Sequence, residues 1–253
     1  NMHSIKQFID SLYSVQNMAK YRKQNLFQAF VFIILLNFIA SIPTFFQTQD
    51  TINEIQRELI PQLRKVLPEF QIENGLLTTE QIKERIISTD KITIKLSPEQ
   101  TEADTPMKTT LPELEILKDK VVLKIENQYF EAKYEDMALT FTKDNLISIM
   151  DVFEQNAYLI QGLYLFLFFI SHLIMLIVQI FLVSFFGYIF VKQEKYIGSY
   201  QEIWSVSPCA LVIPTVFFTI MNLLHLTVPF GTFVFWGSAI FIIYQIIKEF
   251  PRK

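Results

Sequence analysis

The sequence is poor in the residues on which several classes of protein depend. It contains one cysteine, Cys209, and six glycines among 253 residues. A single cysteine excludes a secreted scaffold held by disulfides, and the few glycines form neither a phosphate-binding nor a dinucleotide-binding motif. The chain also has no basic excess, since 22 Lys and Arg stand against 25 Asp and Glu. A nucleic-acid-binding protein is therefore excluded, and nucleic acid is not an expected partner.

Charged side chains are absent from three long stretches. Residues 24–49, 155–191 and 203–247 contain no Asp, Glu, Lys or Arg, which gives uncharged runs of 26, 37 and 45 residues. A helix needs about 20 apolar residues to cross the hydrocarbon core of a bilayer, so each run is long enough to span it. The sequence thus predicts an α-helical integral membrane protein.

The three runs divide into four predicted transmembrane helices. The third run is too long for one span and is interrupted at Val228-Pro229-Phe230-Gly231, where proline cannot continue a helix. The first span carries Pro43 where a signal-peptide cleavage site would have to be, so we expect a retained anchor. The predicted segments are a cytoplasmic leader (1–25), helices at 26–46, 158–191, 205–226 and 232–247, a domain at 47–157, a cytoplasmic loop (192–204) and a cytoplasmic tail (248–253).

The distribution of charge sets the predicted orientation. Four spans place the leader, the loop and the tail on one side, and together they hold 9 basic and 4 acidic residues, a net +5. Residues 47–157 hold the other 13 basic and 21 acidic residues, a net −8. Short loops rich in Lys and Arg stay on the cytoplasmic side. We therefore expect a multi-pass plasma-membrane protein with both termini cytoplasmic and residues 47–157 extracytoplasmic.

Residues 47–157 predict a small α+β domain inserted between the first two spans. Thr51 and Glu54 have the spacing of a capping box, which predicts the start of a new helix. Phe70–Glu73 followed by Asn74-Gly75 predicts a strand and a tight turn. Further predictions are a strand at 91–96, a loop at 98–112, a hairpin of 121–126 and 129–134 joined by Asn127-Gln128, and a helix at 143–154.

The predicted extracytoplasmic domain lacks the residues of common catalytic sites. It contains no His and no Cys, so its serines have no histidine base within the segment. Ser-His-Asp hydrolysis, thiol chemistry and a zinc site built from its own residues are excluded there. No nucleophile, base and orienting group can be named together in the rest of the chain. We expect a protein that is not an enzyme and has no catalytic, cofactor or metal site.

Polar side chains recur within the predicted spans. Such groups usually hydrogen-bond to neighbouring helices, and this is the favoured interpretation. The alternative is a polar cavity, for which His172 is the best candidate because it is ionisable and lies near the middle of its span. If His172 only links helices, its predicted partners are Asn37, Thr219 and Asn222. The candidate intramembrane polar site consists of His172, Gln179, Asn37, Asn222 and His225.

The leader has the pattern of an amphipathic helix. Lys6 and Asp10 lie opposite apolar residues that recur at helical spacing, namely Ile5, Phe8, Ile9, Leu12 and Tyr13. One interpretation is a helix that lies on the cytoplasmic surface of the bilayer. Packing against the protein's own cytoplasmic loops is an equally open alternative.

Three groups of motifs carry a family resemblance. They are Phe8-x-x-Ser11-Leu12-Tyr13-Ser14 with Ala19-Lys20-Tyr21-Arg22 and Ile42-Pro43, then Leu67-Pro68-Glu69-Phe70-x-Ile72-x-Asn74-Gly75-x-Leu77, then Tyr200-x-x-x-Trp204-x-x-Ser207-x-x-Ala210 with Pro214. Together they resemble the bacterial membrane family called domain of unknown function 1189, whose members are labelled maltodextrin-utilisation proteins. Residues 198–214 are also distantly similar to the Yip1-like membrane superfamily. The resemblance implies a Gram-positive plasma membrane and a link to maltodextrin uptake, and it supplies no catalytic residues.

Two functions follow from these observations. The first is a non-catalytic accessory protein whose partners are the lipid bilayer and another membrane protein, such as a transporter complex. The alternative is a membrane bundle that handles a small molecule or lipid in a polar cavity around His172. The sequence indicates neither the identity of the partner nor the oligomeric state.

Overall fold

The computed structural model describes residues 2–80, 84–103, 111–125, 128–137 and 140–252. The chain forms two compact units, one from residues 1–47 and 163–253 and the other from residues 48–162. We call them the helical unit and the sheet unit. Four helical segments are long and apolar enough to cross a membrane, namely Leu26–Val66, Lys143–Gln193, Tyr200–Leu223 and Gly231–Lys248.

Residues 2–66, all of which the structure describes, contain four α-helices. Their bounds are Met2–Tyr13 (α1), Val15–Lys20 (α2), Leu26–Glu54 (α3) and Ile60–Val66 (α4), and a 3₁₀ turn, Tyr21–Lys23, precedes α3. The prediction of a new helix at Thr51 is wrong, because Thr51 lies inside α3. A π-helical turn at Ile55–Leu59 joins α3 to α4 without a break. Proline in a regular α-helix would clash with the carbonyl four residues earlier, and this wider turn accommodates Pro61 without ending the helix.

The remaining long helices are Lys143–Gln193 (α6), Tyr200–Leu223 (α7) and Gly231–Lys248 (α8). The predicted helix at 143–154 and the predicted second span are parts of the one helix α6. The predicted start of the third span at Ser205 is five residues late, since Ser199 and Glu202 form a reciprocal capping box that begins α7 at Tyr200. Helix α7 ends at Leu223, before the predicted Leu226, and α8 begins after Phe230, which has a positive φ of 54°.

Helix α7 is the centre of the helical unit. In its most apolar stretch 67% of the residues are buried, against 33% for the first segment, 28% for α8 and only 17% for α6. Ile203, Leu211 and Val206 of α7 are completely buried, and they belong to one core with Phe32 of α3 and Ile180 of α6. The packing therefore surrounds α7 and leaves most of α6 uncovered.

The described residues of the sheet unit form eight strands in two sheets. The strands are Phe70–Glu73 (β1), Leu76–Thr79 (β2), Arg85–Ser88 (β3), Thr93–Leu96 (β4), Glu113–Ile116 (β5), Lys120–Ile125 (β6), Gln128–Lys133 (β7) and Phe141–Thr142 (β8), with a short helix, Tyr134–Met137 (α5), after β7. The order is β2-β1-β8 in the smaller sheet and β3-β4-β5-β6-β7 in the larger one. Only β4 and β5 pair in parallel among these strands.

Several predictions for this unit can be compared with the strands. The turn at Asn74-Gly75 is confirmed, since both residues have positive φ and join β1 to β2. The strand predicted at 91–96 is present as β4 but starts at Thr93, and Tyr134 begins α5 instead of ending the hairpin. Strands β2, β3, β5 and β8 were not predicted. Gln128 of the predicted turn belongs to β7, while Glu126, Asn127 and residues 104–110 of the predicted loop lie outside the described residues.

The larger sheet has one apolar face and one charged face. Residues paired across neighbouring strands share a face, so Ile94 and Leu114 lie together on the apolar side. On the other side Lys95 pairs with Glu115, and Glu113 pairs with Lys124. We call Lys95, Glu113, Glu115 and Lys124 the charged ladder.

Candidate functional site

The predicted intramembrane polar site is built around a hydrogen bond between α3 and α6. His172 Nδ1 lies 2.6 Å from Asn37 Oδ1, and Asn37 is completely buried. Asn37 Nδ2 donates a hydrogen bond of 3.1 Å to the carbonyl oxygen of Phe169. The Asn37 side chain therefore contacts α6 with both of its polar atoms.

These contacts determine which nitrogen of His172 carries the proton. Because Asn37 Nδ2 donates to Phe169, Asn37 Oδ1 is the acceptor, and His172 Nδ1 must be the donor. Neutral His172 then has an unprotonated Nε2, which can accept a hydrogen bond or a proton. The imidazole ring stacks on Phe168 at a centroid distance of 5.8 Å. The arrangement holds the ring in one orientation, as a helix-linking residue or a ligand-contacting residue would need.

An apolar cavity of about 470 Å³ lies between the same two helices, next to this hydrogen bond. Phe168 links the cavity to His172, since its ring lines the cavity and stacks on the imidazole ring. Ser41 also lines the cavity, and its hydroxyl donates to the backbone carbonyl of Asn37. The other lining residues are Phe38, Ile42, Phe45, Phe46, Leu165 and Phe169. Small-molecule sites typically enclose about 300–1,000 Å³ and are mostly apolar, so the cavity has the size and lining of a binding site.

The other predicted site residues are not brought to this pair. Gln179 is two turns further along α6 and is half-buried. Asn222 is exposed near the end of α7, and His225 is exposed beyond it with a positive φ of 54°. Thr219 is buried but donates its hydroxyl to the carbonyl of Thr215 in its own helix. Of the three predicted partners of His172, only Asn37 contacts it.

The sequence did not single out the aromatic residues that line the cavity. Phenylalanine occurs 25 times in the chain, mostly within the apolar runs, so no position stands out. A cavity between two helices depends on which residues face each other across them. That information comes from the tertiary structure.

Helix α1 has the amphipathic pattern that the leader predicts, but it buries its polar side. Ser4, Gln7 and Ser11 are nearly or completely buried, and Gln7 Nε2 donates to Cys209 Sγ of α7 at 3.3 Å. On the other side Ile5 is 53% exposed and Ile9 is 46% exposed. The polar side of α1 thus packs on α7, where Cys209 lies in the predicted third span and not in a cytoplasmic loop, while the apolar side of α1 remains uncovered.

A second polar cluster fixes the turn between α1 and α3. Asp10 is buried and accepts hydrogen bonds from Tyr21 Oη at 2.7 Å and from Asn17 Nδ2 at 3.1 Å. Burial, together with the Asp10 carboxylate, raises the pKa of Tyr21 above its ordinary value. The cluster therefore keeps Tyr21 neutral and binds the 3₁₀ turn to α1.

Within the part of the chain that the structure describes, no group of three His, Cys, Asp or Glu side chains could hold a metal ion. The arrangement around His172 offers one neutral imidazole, one amide and an apolar cavity. These groups can bind and orient a molecule.

Substitutions at His172 distinguish the two interpretations of the His172–Asn37 pair. If the pair only links helices, His172→Gln should be nearly neutral, because an amide can still donate to Asn37. His172→Leu should then cost about 1 kcal/mol of stability, the scale of such bonds between apolar helices. Thermal unfolding of both purified variants in mild detergent measures this. If His172 serves a bound molecule, His172→Gln should also abolish growth on maltodextrin in a strain without the native copy, although its melting temperature stays close to that of the wild type.

The comparisons with known proteins identify the family. The family described as Protein of unknown function (DUF1189) matches residues 5–247. No curated protein and no solved structure matches the chain. The match extends from α1 to the last turn of α8 and includes both units. The chain therefore belongs to the DUF1189 family.

Proposed function

We propose that this protein is a non-catalytic integral protein of the plasma membrane that acts as an accessory subunit for a second membrane protein. Its four long apolar helices would span the bilayer, with both termini in the cytoplasm and the sheet unit outside. The exposed face of α6 would contact the partner. The favoured partner is a transport system.

Helix α1 supports the membrane location. A helix that buries Ser4, Gln7 and Ser11 while Met2, Ile5 and Ile9 stay exposed would be unfavourable in water, because apolar area would remain hydrated. The hydrocarbon boundary of a bilayer covers such a face, and Lys6 beside it can reach anionic head groups. The predicted interfacial helix is thus retained in the proposal, with its polar side on α7.

Labelling from outside the cell tests the orientation. Glu99 and Gln193 are both exposed, and the native Cys209 is completely buried. In intact cells an impermeant thiol reagent should label Glu99→Cys and should not label Gln193→Cys until the cells are lysed. Labelling of the Gln193→Cys variant before lysis would contradict the proposed topology.

The observation that carries the accessory role is the exposed face of α6. Leu163, Ile170, Ile174 and Phe181 lie within about 20° of one line on the helix at 100° per residue, and they are 57%, 39%, 59% and 49% exposed. Only 17% of the residues in the apolar stretch of α6 are buried, the lowest value of the four segments. A continuous uncovered face along one helix is suited to packing against a helix of another protein.

Site-specific photo-crosslinking in native membranes tests this role. A photoreactive side chain at Ile174 should give one dominant crosslinked protein. Phe241 of α8 is a matched control, because it is equally exposed, at 61% against 59%, and lies outside this face. We expect crosslinked protein at Ile174 to exceed that at Phe241 by about tenfold. Crosslinks to lipid alone at both positions would contradict the accessory role.

Because the chain resembles maltodextrin-utilisation proteins, the maltodextrin uptake system is the first transport system to test as the partner. A strain without the native copy should then grow poorly on maltodextrin, and the Ile174 crosslink should contain a component of that uptake system. If that strain grows normally on maltodextrin and the Ile174 crosslink contains an unrelated protein, the partner is not the maltodextrin uptake system. The distant Yip1-like similarity stays a prediction, because the family match concerns DUF1189.

The cavity beside His172 favours a second candidate function. A space of about 470 Å³ lined by five phenylalanines is suited to one apolar chain, and Ser41 places a hydroxyl in its wall. The protein would then hold a lipid or small apolar molecule between α3 and α6. The lining is apolar and not polar, so this candidate differs from the polar cavity that the sequence suggests. Loss of growth on maltodextrin in His172→Gln with an unchanged melting temperature would support it.

A further inference from the structure

A polar pocket of about 410 Å³ lies in the helical unit between α1 and the start of α3. All of its lining residues come from residues 3–28, and every lining side chain carries a polar atom. They include three lysines, Lys6, Lys20 and Lys23, and one acidic residue, Asp10. Ligand sites typically enclose about 300–1,000 Å³, so the pocket is large enough to hold a small polar group. We call it the leader pocket.

The leader pocket has an excess of positive charge. Both oxygens of Asp10 already accept hydrogen bonds, one from Tyr21 Oη at 2.7 Å and one from Asn17 Nδ2 at 3.1 Å. Among the residues that the structure describes, neither Lys6 nor Lys23 has a hydrogen bond or an ion pair. With its histidine neutral, the lining therefore has a net charge of +2, and two of its ammonium groups have all three N–H donors free.

Other donors of the leader pocket add to this excess. Lys20 Nζ donates to Asn17 Oδ1 at 2.8 Å and keeps two further N–H groups. Helix α3 begins at Leu26, between the lining residues Gln24 and Gln28. The first N–H groups of a helix carry a partial positive charge and favour anions. The lysines and the helix start together favour an anion with several acceptor oxygens, such as a phosphate group.

The surroundings of the leader pocket favour a lipid as the source of that phosphate. Met2 and Ile5 of α1 and Leu26 and Phe27 of α3 are neighbours of lining residues in the sequence, and all four are more than half exposed. A free phosphate would leave these apolar side chains in water, whereas the acyl chains of a bound lipid would cover them. Amphipathic helices with basic residues bind anionic lipids through this combination of contacts.

We infer that the leader pocket binds the phosphate group of an anionic phospholipid, with the acyl chains on the exposed apolar residues of α1 and α3. Phosphatidylglycerol is favoured over phosphatidylcholine, because the choline group would bring a further cation to the lysines. The inference rests on the membrane location proposed above, since the acyl chains need a bilayer. It goes beyond the accessory role by assigning a lipid class and a binding site.

Native mass spectrometry of the full chain in mild detergent tests the site. The probes are dioleoyl phosphatidylglycerol and dioleoyl phosphatidylcholine at equal concentrations. We expect the wild type to bind its first phosphatidylglycerol about tenfold more tightly than its first phosphatidylcholine, and Lys6→Gln/Lys23→Gln to lose this preference. Lys192→Gln/Lys195→Gln is the matched control, because it removes two exposed lysines outside the pocket, and it should keep the preference.

A soluble competitor distinguishes the two sources of phosphate. Glycerophosphoglycerol has the head group of phosphatidylglycerol without its acyl chains. It should not displace the bound lipid from the wild type at an equal concentration, because it cannot cover the apolar residues of α1 and α3. Displacement at equal concentration would show that the pocket is a site for soluble phosphates and would overturn the inference.

Equal binding of the two lipids by the wild type would also overturn the inference. So would an equal loss of preference in both double variants, since the attraction would then come from the total charge and not from the pocket. Melting temperatures exclude loss of fold as the cause, and the single changes Lys6→Gln and Lys23→Gln replace the double variant if it does not fold.

Two other measurements separate this site from the proposed function. Persistence of the Ile174 crosslink in Lys6→Gln/Lys23→Gln would show that the accessory role does not need the bound lipid. Correct thiol labelling of Glu99→Cys and Gln193→Cys, together with equal binding of the two lipids, would overturn the site and leave the proposed topology in place.

Discussion

A Glu115→Leu substitution is expected to destabilise the sheet unit by about 3 kcal/mol. Glu115 is completely inaccessible to solvent and lies between two lysines that are themselves buried. Its carboxylate oxygens lie 3.7 Å from Lys95 Nζ and 2.8 Å from Lys124 Nζ. Removing one partner of a buried ion pair leaves an uncompensated charge and typically costs about 3–5 kcal/mol. The low end applies because each lysine keeps a second carboxylate, Glu84 or Glu113, at 3.0 Å.

Hydrogen exchange of the β4, β5 and β6 amides in the full chain measures this loss. The sheet unit contains no tryptophan, so fluorescence would report mainly on the helical unit. The surface pair of Lys120 and Glu131 provides the control, because Glu131 is 55% exposed in its side chain and Glu131→Leu should change little. Unchanged exchange in Glu115→Leu would contradict the idea that the charged ladder stabilises the larger sheet.

The same ladder gives the sheet unit an alkaline limit. Burial alone would lower the pKa of Lys124, but the carboxylates of Glu115 and Glu113 outweigh it and raise the pKa above its ordinary value. A folded pKa above the unfolded one stabilises the fold below about pH 10.4, and the contribution is lost as the pH rises through the folded pKa. Exchange protection in the wild type should therefore fall above that pH. Part of this dependence should be absent from Glu115→Leu.

The sequence predicts the long helices well because their signal is local. Uncharged runs of 26, 37 and 45 residues can hardly be anything but long apolar helices, and α3, α6, α7 and α8 occupy them. Helix ends are harder to predict. The capping box at Thr51 and Glu54 has the right residue types but lies inside α3, while the similar pair Ser199 and Glu202 does begin α7. The same local pattern has different outcomes because the surrounding packing decides whether a helix continues.

The candidate site was predicted in part for a similar reason. A buried amide and a histidine in apolar helices need hydrogen-bond partners, so a contact between His172 and Asn37 could be expected. His225 shares a helical period with other polar residues, but α7 ends at Leu223 and the period has no meaning beyond it, while Asn222 lies in the last turn of α7 and is exposed. Helical spacing predicts which residues share a face only where the helix exists.

Periodicity also leaves open which face of a helix is buried. The spacing of Ile5, Ile9 and Leu12 predicts an amphipathic helix, and α1 is one. Its polar face is buried against α7, where Gln7 donates to Cys209. The partner is about 200 residues away in the chain, so no local pattern of the leader could indicate it.

The second large effect is expected at Gly187 of α6, which lies against buried side chains of α7 and α8. A Cβ atom at this position would lie 2.7 Å from Cγ2 of Ile203 and 3.1 Å from side-chain atoms of Ile243 and Ile247. All three isoleucines are completely buried, so they have little freedom to move. Small residues allow apolar helices to pack closely, and overpacking a filled core typically costs about 1–3 kcal/mol. We expect Gly187→Leu to lose about 3 kcal/mol, well beyond the gain of about 1 kcal/mol from removing a helical glycine.

Thermal unfolding followed by the fluorescence of Trp204 and Trp236 measures this loss, since both tryptophans belong to the helical unit. Gly237→Leu in α8 is the matched control, because nothing lies within 4 Å of a Cβ at that position. The smaller change Gly187→Ala should also destabilise, and combining it with Ile203→Ala should cost less than the sum of the two single changes. That coupling would assign the effect to the contact between Gly187 and Ile203. Equal melting temperatures of Gly187→Leu and Gly237→Leu would instead mean that α6 does not pack closely against α7 and α8. The close contact at Gly187 would then not be what holds α6, the least buried of the four long helices, in the helical unit.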